Sequence, residues 1–237
     1  MVDINTFAGD GEGSMAVITT TILHRFYRVQ QKRYPDVLFY GDTARREIAL
    51  TFDDGPHPRH TPQVLDVLAK HNIRATFFLL GQYIEQHPQL VKRIHQSEHQ
   101  LALHGYRHVP FPTENASTLK RQLNRSRNAI ANACCISPET IRLVRPPFGM
   151  FNAKTASMLN EWGFHLVMWS CIPPHWMQPA NWTISQMIDE IIPGSVIDLH
   201  DGHGHGKKVA PIVDTIVPML KASEYEFIRI EEMERKI

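Results

Sequence analysis

Two adjacent carboxylates, Asp53 and Asp54, close a short apolar run and are followed at once by Gly55-Pro56. Neighbouring side chains leaving a strand point to different sides, so one can hold a cation while the other takes a proton from water. The same residues also read as a polar turn, because Asp, Gly and Pro favour turns for local reasons. Further along, His104 and His108 stand four apart. Two His at that spacing converge on one metal ion if the backbone between them makes a helical turn. With one Asp they give the three protein ligands and the open position of a catalytic zinc site. Taken alone, the pair also reads as surface His in a loop. Arg145 precedes Pro146-Pro147-Phe148-Gly149. Its planar fork can fix a carboxylate, and the prolines stiffen a backbone that could aim a peptide N–H. His200 lies in Asp198-Leu199-His200-Asp201-Gly202. Imidazole suits proton donation near neutral pH. His203 and His205 follow in a Gly-rich stretch and read as solvated loop residues.

The elements that must position these groups alternate. Short β-rich runs cover Glu47–Phe52, Arg74–Leu79, Gln100–Leu103, Ile141–Val144, Phe164–Trp169, Ser195–Leu199 and Glu226–Ile230. Between them lie helical patterns. One is capped by Thr61 with Pro62 as its first residue. A second runs from Gln82 to Gln96, with Pro88 opening its main part. Others cover Ala116–Ala133, the stretch after Asn152, Ile184–Ile192 and Val209–Lys221. Strand and helix in alternation imply a parallel sheet with right-handed crossovers. The expected fold is α/β, a distorted (β/α) barrel of about seven parallel strands, with a doubly wound open sheet as the alternative. In a barrel the ends of all parallel strands lie on one face, and Asp53, Asp54, His104, Arg145 and His200 all follow strands. Residues 1–45 are expected as an N-terminal extension leading into or packing on a domain of residues 46–237. Val17–Leu23 is its helix and Tyr34–Tyr40 its extended piece.

Composition narrows the partners. A net charge of +1 gives no electrostatic reason for nucleic acid or an anionic membrane. No apolar run approaches the length of a spanning helix, and no protein partner is implied. Three Cys, two of them adjacent, make no paired framework and no thiolate zinc spacing. Met1–Ser14 lacks the basic start and apolar middle of a signal peptide. The compartment is therefore read as cytoplasmic, or as reached through a segment outside this chain. That second route would place the protein in the cell envelope or outside the cell.

In this order, Thr51-Phe52-Asp53-Asp54-Gly55-Pro56, the His104/His108 pair, Arg145-Pro146-Pro147-Phe148-Gly149 and Leu199-His200-Asp201 closely resemble the polysaccharide deacetylases of carbohydrate esterase family 4, the NodB homology domain. The resemblance runs from about Arg46 to Ile230. It implies a distorted barrel and metal-dependent removal of N-acetyl groups from an N-acetylglucosamine-containing glycan, peptidoglycan or a chitin oligomer. It implies zinc, or another divalent metal such as cobalt, on Asp54, His104 and His108. Asp53 then looks like the catalytic base, Arg145 like the residue that orients it, and His200 like the general acid. The Phe148 main-chain N–H looks like an oxyanion donor, where the family usually has Tyr. Trp169 and Trp176 are expected to wall the acetyl methyl, with core packing an equal account of Trp169.

Two departures stand out. Gly105 replaces the Ser or Thr usual after the first His, so a looser turn is expected. In Trp169-Ser170-Cys171-Ile172-Pro173-Pro174-His175-Trp176, Ile172 and His175 replace two Asp. The second of these normally supports the acid. A His there predicts a lower pKa for His200 than in typical relatives, with Asp198 or Asp201 as compensating groups. The alternative readings are an O-acetyl esterase on acetylated xylan, a catalytically impaired glycan-binding protein, or an enzyme for a small non-sugar amide that works without metal. Retention of the three ligands argues against the last.

Overall fold

The structure, a computed structural model, describes residues 25–202, 204 and 206–234. The readings for Val17–Leu23, His203 and His205 lie outside the described residues. The elements run α1 (25–33), β1 (Val37–Leu38), β2 (Glu47–Asp53), α2 (His60–Lys70), β3 (Thr76–Leu79), α3 (Gly81–Gln86), α4 (Pro88–Gln96), β4 (Gln100–Leu103) and α5 (Ala116–Cys134). They continue with β5 (Leu143–Val144), α6 (Ala153–Glu161), β6 (His165–Val167), α7 (Ala180–Glu190), β7 (Val196–His200), α8 (Val209–Ala222), β8 (Glu226–Phe227) and α9 (Ile230–Glu234).

Seven strands pair in parallel in the order β1-β6-β5-β4-β3-β2-β7 and curl into a half-barrel, the distorted (β/α) barrel expected. Cys171, past β6, bridges Ile197 of β7, and Tyr40, past β1, bridges Ser195. These contacts draw the two edges of the sheet together.

Several boundaries differ from the sequence reading. The last expected strand, Glu226–Ile230, shortens to β8. It pairs off the main path with Glu47–Ile48 at the foot of β2, and Ile230 instead opens α9. The place of a seventh strand on the path goes to β1, which pairs with β6 in the stretch read only as an extended piece. Gln82–Gln96 is two helices that break at His87, with Pro88 in the first turn of the second. The helix at Ile184–Ile192 starts at Ala180 and stops before Ile192-Pro193, where the residue preceding Pro is driven out of the helical region. Thr61 is no cap. It lies inside α2, where its hydroxyl accepts the His57 N–H at 2.8 Å and donates to the Asp201 carboxyl. Asn115 and Asn152 do cap α5 and α6, accepting the N–H of Thr118 and Thr155, each at 2.9 Å.

Strand parity decides what faces the barrel interior. On β2 the residues Ile48, Leu50 and Phe52 pack outward against the helices. Ala49 belongs to a separate inner layer with Phe78, Ala102, Leu143, Val167 and Val196. Side chains alternate along a strand, so each inner residue has a successor two positions on. Ala49 leads to Thr51 and Asp53, Ala102 to His104, Leu143 to Arg145, and Val196 to Asp198 and His200. The small apolar layer is thus the floor of the site, and the chemistry-bearing residues form the layers above it. Ile230 and Met233 of α9 join the floor from below, and the Ile230 N–H is bonded to Thr76 Oγ1 at 3.1 Å.

Candidate active site

Asp53 and His200 are register partners at the C-terminal ends of β2 and β7, and Thr51 and Asp198 are partners one pleat beneath. Arg145 enters this block fully buried. Its Nη1 donates to Thr51 Oγ1 at 2.8 Å, to Asp53 Oδ1 at 2.8 Å and to Asp198 Oδ1 at 3.1 Å. Nη2 donates to the Met168 carbonyl at 2.8 Å. The guanidinium also lies over the Phe78 ring at 4.0 Å, so its plane is fixed on every side. Arg145 is in direct contact with Asp53. That it serves Asp198 and Thr51 as well was not read from the sequence. The parity of Thr51 with Asp53, and of Asp198 with His200, was the signal for it. Burial, followed by the neighbouring Asp53 carboxylate, pushes the Asp198 carboxyl well above the usual range.

Beyond Asp53 the chain turns sharply. Asp54 adopts φ 69°, in the left-handed region, which swings its side chain away from that of Asp53. Its Oδ1 lies 3.4 Å from His104 Nε2 and 3.2 Å from His108 Nε2. One ligand atom from each of the three residues lies within 4.8 Å of the others. The two His converge from a loop rather than from a helical turn. Gly105, with φ 89°, makes the reversal instead. That turn is tied down rather than loose. The Gly105 carbonyl accepts from Gly81 N–H at 3.0 Å and Ser126 Oγ at 3.1 Å, and the Tyr106 carbonyl from Gln82 N–H at 3.0 Å.

These residues fit a divalent cation. His104 Nδ1 lies 2.9 Å from the Arg145 carbonyl, which can only accept, so Nδ1 carries the proton and Nε2 is left facing Asp54. Asp54 Oδ1 is buried and accepts no hydrogen bond among the described residues, an arrangement that is costly unless a cation is meant to sit there. Two imidazole nitrogens and one carboxylate oxygen match a catalytic zinc donor set. The electrostatics agree. Burial opposes charge on Asp54, yet His104, His200 and His108 hold its carboxyl well below the usual range. Burial also opposes charge on His104, and Asp53 and Asp54 outweigh it and raise its pKa.

His200 sits across the mouth. Its Nε2 is 3.9 Å from Asp198 Oδ2. Its ring is stacked on His175 with centroids 5.2 Å apart and meets Trp176 edge-on at 5.1 Å. His175 is fully buried, and its Nε2 accepts the His200 main-chain N–H at 3.2 Å. Its Nδ1 lies 3.1 Å from the Pro173 carbonyl. His175 therefore holds the His200 backbone rather than its ring nitrogens. Burial, the largest cause, lowers the pKa of His200 against the opposing Asp53 and Asp54.

The remaining expected residues are placed as follows. Phe148 is exposed, adopts φ 60° and lays its ring against His108 at 4.2 Å. Trp176 lines the His200 side. Trp169 packs inward over Arg145, 5.6 Å from its guanidinium. A Cβ on Gly149 would lie 2.5 Å from the Trp169 ring, so this Gly admits the indole. Asp201 is fully buried under the same mouth, and burial pushes its carboxyl up to about 7. All three cysteines are free.

The family model for polysaccharide deacetylase matches residues 40–167. The chain is 34% identical over 189 residues to the peptidoglycan-N-acetylglucosamine deacetylase PgdA of Listeria monocytogenes, a match that covers 79% of this chain and 39% of that protein. The chain thus spans about two-fifths of the Listeria protein's length. It is 37% identical over 165 residues to a chitooligosaccharide deacetylase of Sinorhizobium fredii, covering 68% of this chain and 74% of the relative. The crystal structure of the Bc1960 peptidoglycan N-acetylglucosamine deacetylase superposes with a TM-score of 0.80 at 31% identity, covering 85% of this chain and 94% of that one. Matched motifs, parallel half-barrel and candidate metal site agree, and the chain belongs to the polysaccharide deacetylase family, carbohydrate esterase family 4.

Proposed function

We propose that this protein is a divalent-metal-dependent deacetylase that hydrolyses the N-acetyl groups of an N-acetylglucosamine-containing glycan, peptidoglycan or a chitin oligomer. The observation that carries the reading is the convergence of Asp54, His104 and His108 on one point beside the Arg145-held Asp53 and opposite His200. The names of the similar proteins support the substrate class.

Asp54, His104 and His108 would hold the metal, zinc in the first instance. A cation there supplies Lewis acidity to the acetyl carbonyl and lowers the pKa of water. Asp53 takes the proton of the attacking water, with Oδ1 fixed by Arg145 and Oδ2 left unbound by it, 3.6 Å from His104 Nδ1. The Phe148 main-chain N–H faces the developing oxyanion, a contact that needs no hydroxyl on the ring. His200 passes a proton to the departing nitrogen as the C–N bond breaks, which leaves acetate and a free amine. Trp176 fixes the His200 ring plane and borders the space for the acetyl methyl. Trp169 acts through Arg145.

The test is acetate release by zinc-loaded protein from N-acetylglucosamine oligomers, peptidoglycan strands and acetylated xylan, each repeated after chelation. Chelator-sensitive release from the N-acetylated glycans supports the reading. Release from xylan alone would make the protein an O-acetyl esterase. Glycan binding without turnover would make it a binding protein.

A further inference from the structure

Away from the mouth, a groove of about 1260 Å³ runs along the outside of the barrel between α4 and α5. Its α5 rail is cationic, and α4 contributes Lys92 to the lining, Arg93 being bonded to Asp66 instead. The 19 residues of α5 include Lys120, Arg121, Arg125 and Arg127 and no acid, and α4 adds Lys92 and Arg93 with no acid of its own. Of these, Lys92, Lys120, Arg121 and Arg125 line the groove. Its one lining carboxylate, Glu85, is already held by Arg125 through two bonds of 2.7 Å. Lys92, Lys120 and Arg121 are exposed and have no carboxylate partner among the described residues. Buried Ile84 and the small, half-buried Ala129 and Ala133 also line it, and Asn124, Asn128 and Asn132 repeat every fourth residue along α5. Every fourth residue shares a helix face, so these amides form a line of donors and acceptors parallel to the cations.

The groove is joined to the active site. Its Glu85–Arg125 pair, midway along the α5 lining, grips Tyr106, whose hydroxyl donates to Glu85 at 2.9 Å and whose ring lies 4.2 Å from the Arg125 guanidinium. Tyr106 is in the loop between His104 and His108. From Ser117 to Cys135 the lining follows all of α5, about 27 Å at the helical rise. That is too long for one sugar and suits a polymer. The charge is local, because the whole chain carries only +1.

We propose that this groove binds a carboxylate-bearing stretch of the same glycan whose acetamido group enters the metal site, so that the substrate is an acidic glycan rather than a neutral chitin oligomer. Lysine and arginine take the carboxylates, and the asparagine line takes sugar hydroxyls. The proposal rests on the deacetylase reading for the identity of the polymer.

The experiment measures binding directly, by titrating the zinc-loaded protein with N-acetylated glycan strands carrying carboxylates on alternate sugars and with chitin oligomers of equal length. The wild type is expected to prefer the carboxylated strand. In the triple variant Lys92→Glu, Lys120→Glu, Arg121→Glu that preference falls about tenfold, three exposed contacts each contributing modestly. The exchange Lys92→Arg, Lys120→Arg, Arg121→Lys keeps it. An unfolding midpoint equal to wild type confirms that the triple variant is folded. Equal affinity for the two polymers, or a preference untouched by charge reversal, would overturn the proposal. So would a sugar-free polyanion that binds as tightly as the carboxylated strand. A charge-dependent preference without acetate release would sink the deacetylase reading and leave the groove. Acetate release with no charge dependence would do the reverse.

Discussion

Asp53 and Asp198 come from neighbouring strands yet meet on one atom of Arg145, with Nη1 2.8 Å from Oδ1 of the first and 3.1 Å from Oδ1 of the second. A single buried cation thus balances two buried acids. Replacing Arg145 by Met removes it and leaves both acids uncompensated. The expected cost is about 3–5 kcal/mol of unfolding free energy, together with loss of turnover. Asp198→Asn, which keeps the shape of a protonated carboxyl, costs far less. Denaturant unfolding of the two variants checks the order.

Gly202 makes the metal site possible without touching metal. A Cβ there would lie 2.3 Å from the Asp54 carbonyl oxygen and 2.4 Å from the Asp54 Cβ. Gly202→Ala must push Asp54 out of line with His104 and His108. Zinc affinity measured by calorimetry is expected to fall at least about tenfold, the scale seen when groups that orient ligands are disturbed. Gly204→Ala, with nothing within 4 Å, leaves zinc affinity unchanged.

His200 must carry a proton to act as an acid, and burial lowers its pKa from the ordinary 6.5. The protonated fraction therefore falls away at lower pH than for a free imidazole. The alkaline limb of kcat/KM is expected below that ordinary value. His175→Asp places a carboxylate beside the ring stacked on it and moves the limb to higher pH. A pH–rate profile that does not change between wild type and His175→Asp would show that residue 175 has no hold on the acid.

His99 provides a stability test remote from the site. It is buried, and burial, with Arg74 and Arg229, lowers its pKa to about 4. Its ring accepts the Ala75 N–H at 3.3 Å, so the folded state holds it neutral. The unfolded chain binds this proton near pH 6.5 and the folded chain only near 4. Stability from His99 is complete above 6.5 and drains away as pH falls through that window. Relative to His99→Gln, the wild type is expected to lose on the order of 3 kcal/mol between pH 7 and pH 4. Chemical denaturation of both proteins across that range measures the difference.

Much of this site is written in strand ends. Asp53, His104, Arg145 and His200 each follow an apolar run, and in a parallel barrel that alone brings them to one face. Polar residues two positions earlier, Thr51 and Asp198, were less legible. Inside a strand a polar residue reads as an interruption until its register with a buried Arg is known. Thr61 misled for a related reason, since a hydroxyl near a helix start reads as a cap, whereas here it serves the buried Asp201. The short β1 was masked because its pairing with β6 is non-local and only two residues long. The role of His175 turned on which atom of His200 it reaches, and residue type does not carry that information. The groove of α4 and α5 was equally hidden, because a run of cations on a helix reads as a solvated face until a second helix is seen to enclose it.

The most direct test of the central claim separates metal binding from proton transfer in one residue pair. Zinc affinity and acetate release from an N-acetylglucosamine-containing glycan are measured on wild type, Asp53→Asn and Asp54→Asn. The account predicts that Asp53→Asn binds zinc like wild type and releases no acetate, whereas Asp54→Asn loses both. Zinc-dependent acetate release that survives in Asp53→Asn, or zinc binding that survives unchanged in Asp54→Asn, would contradict it.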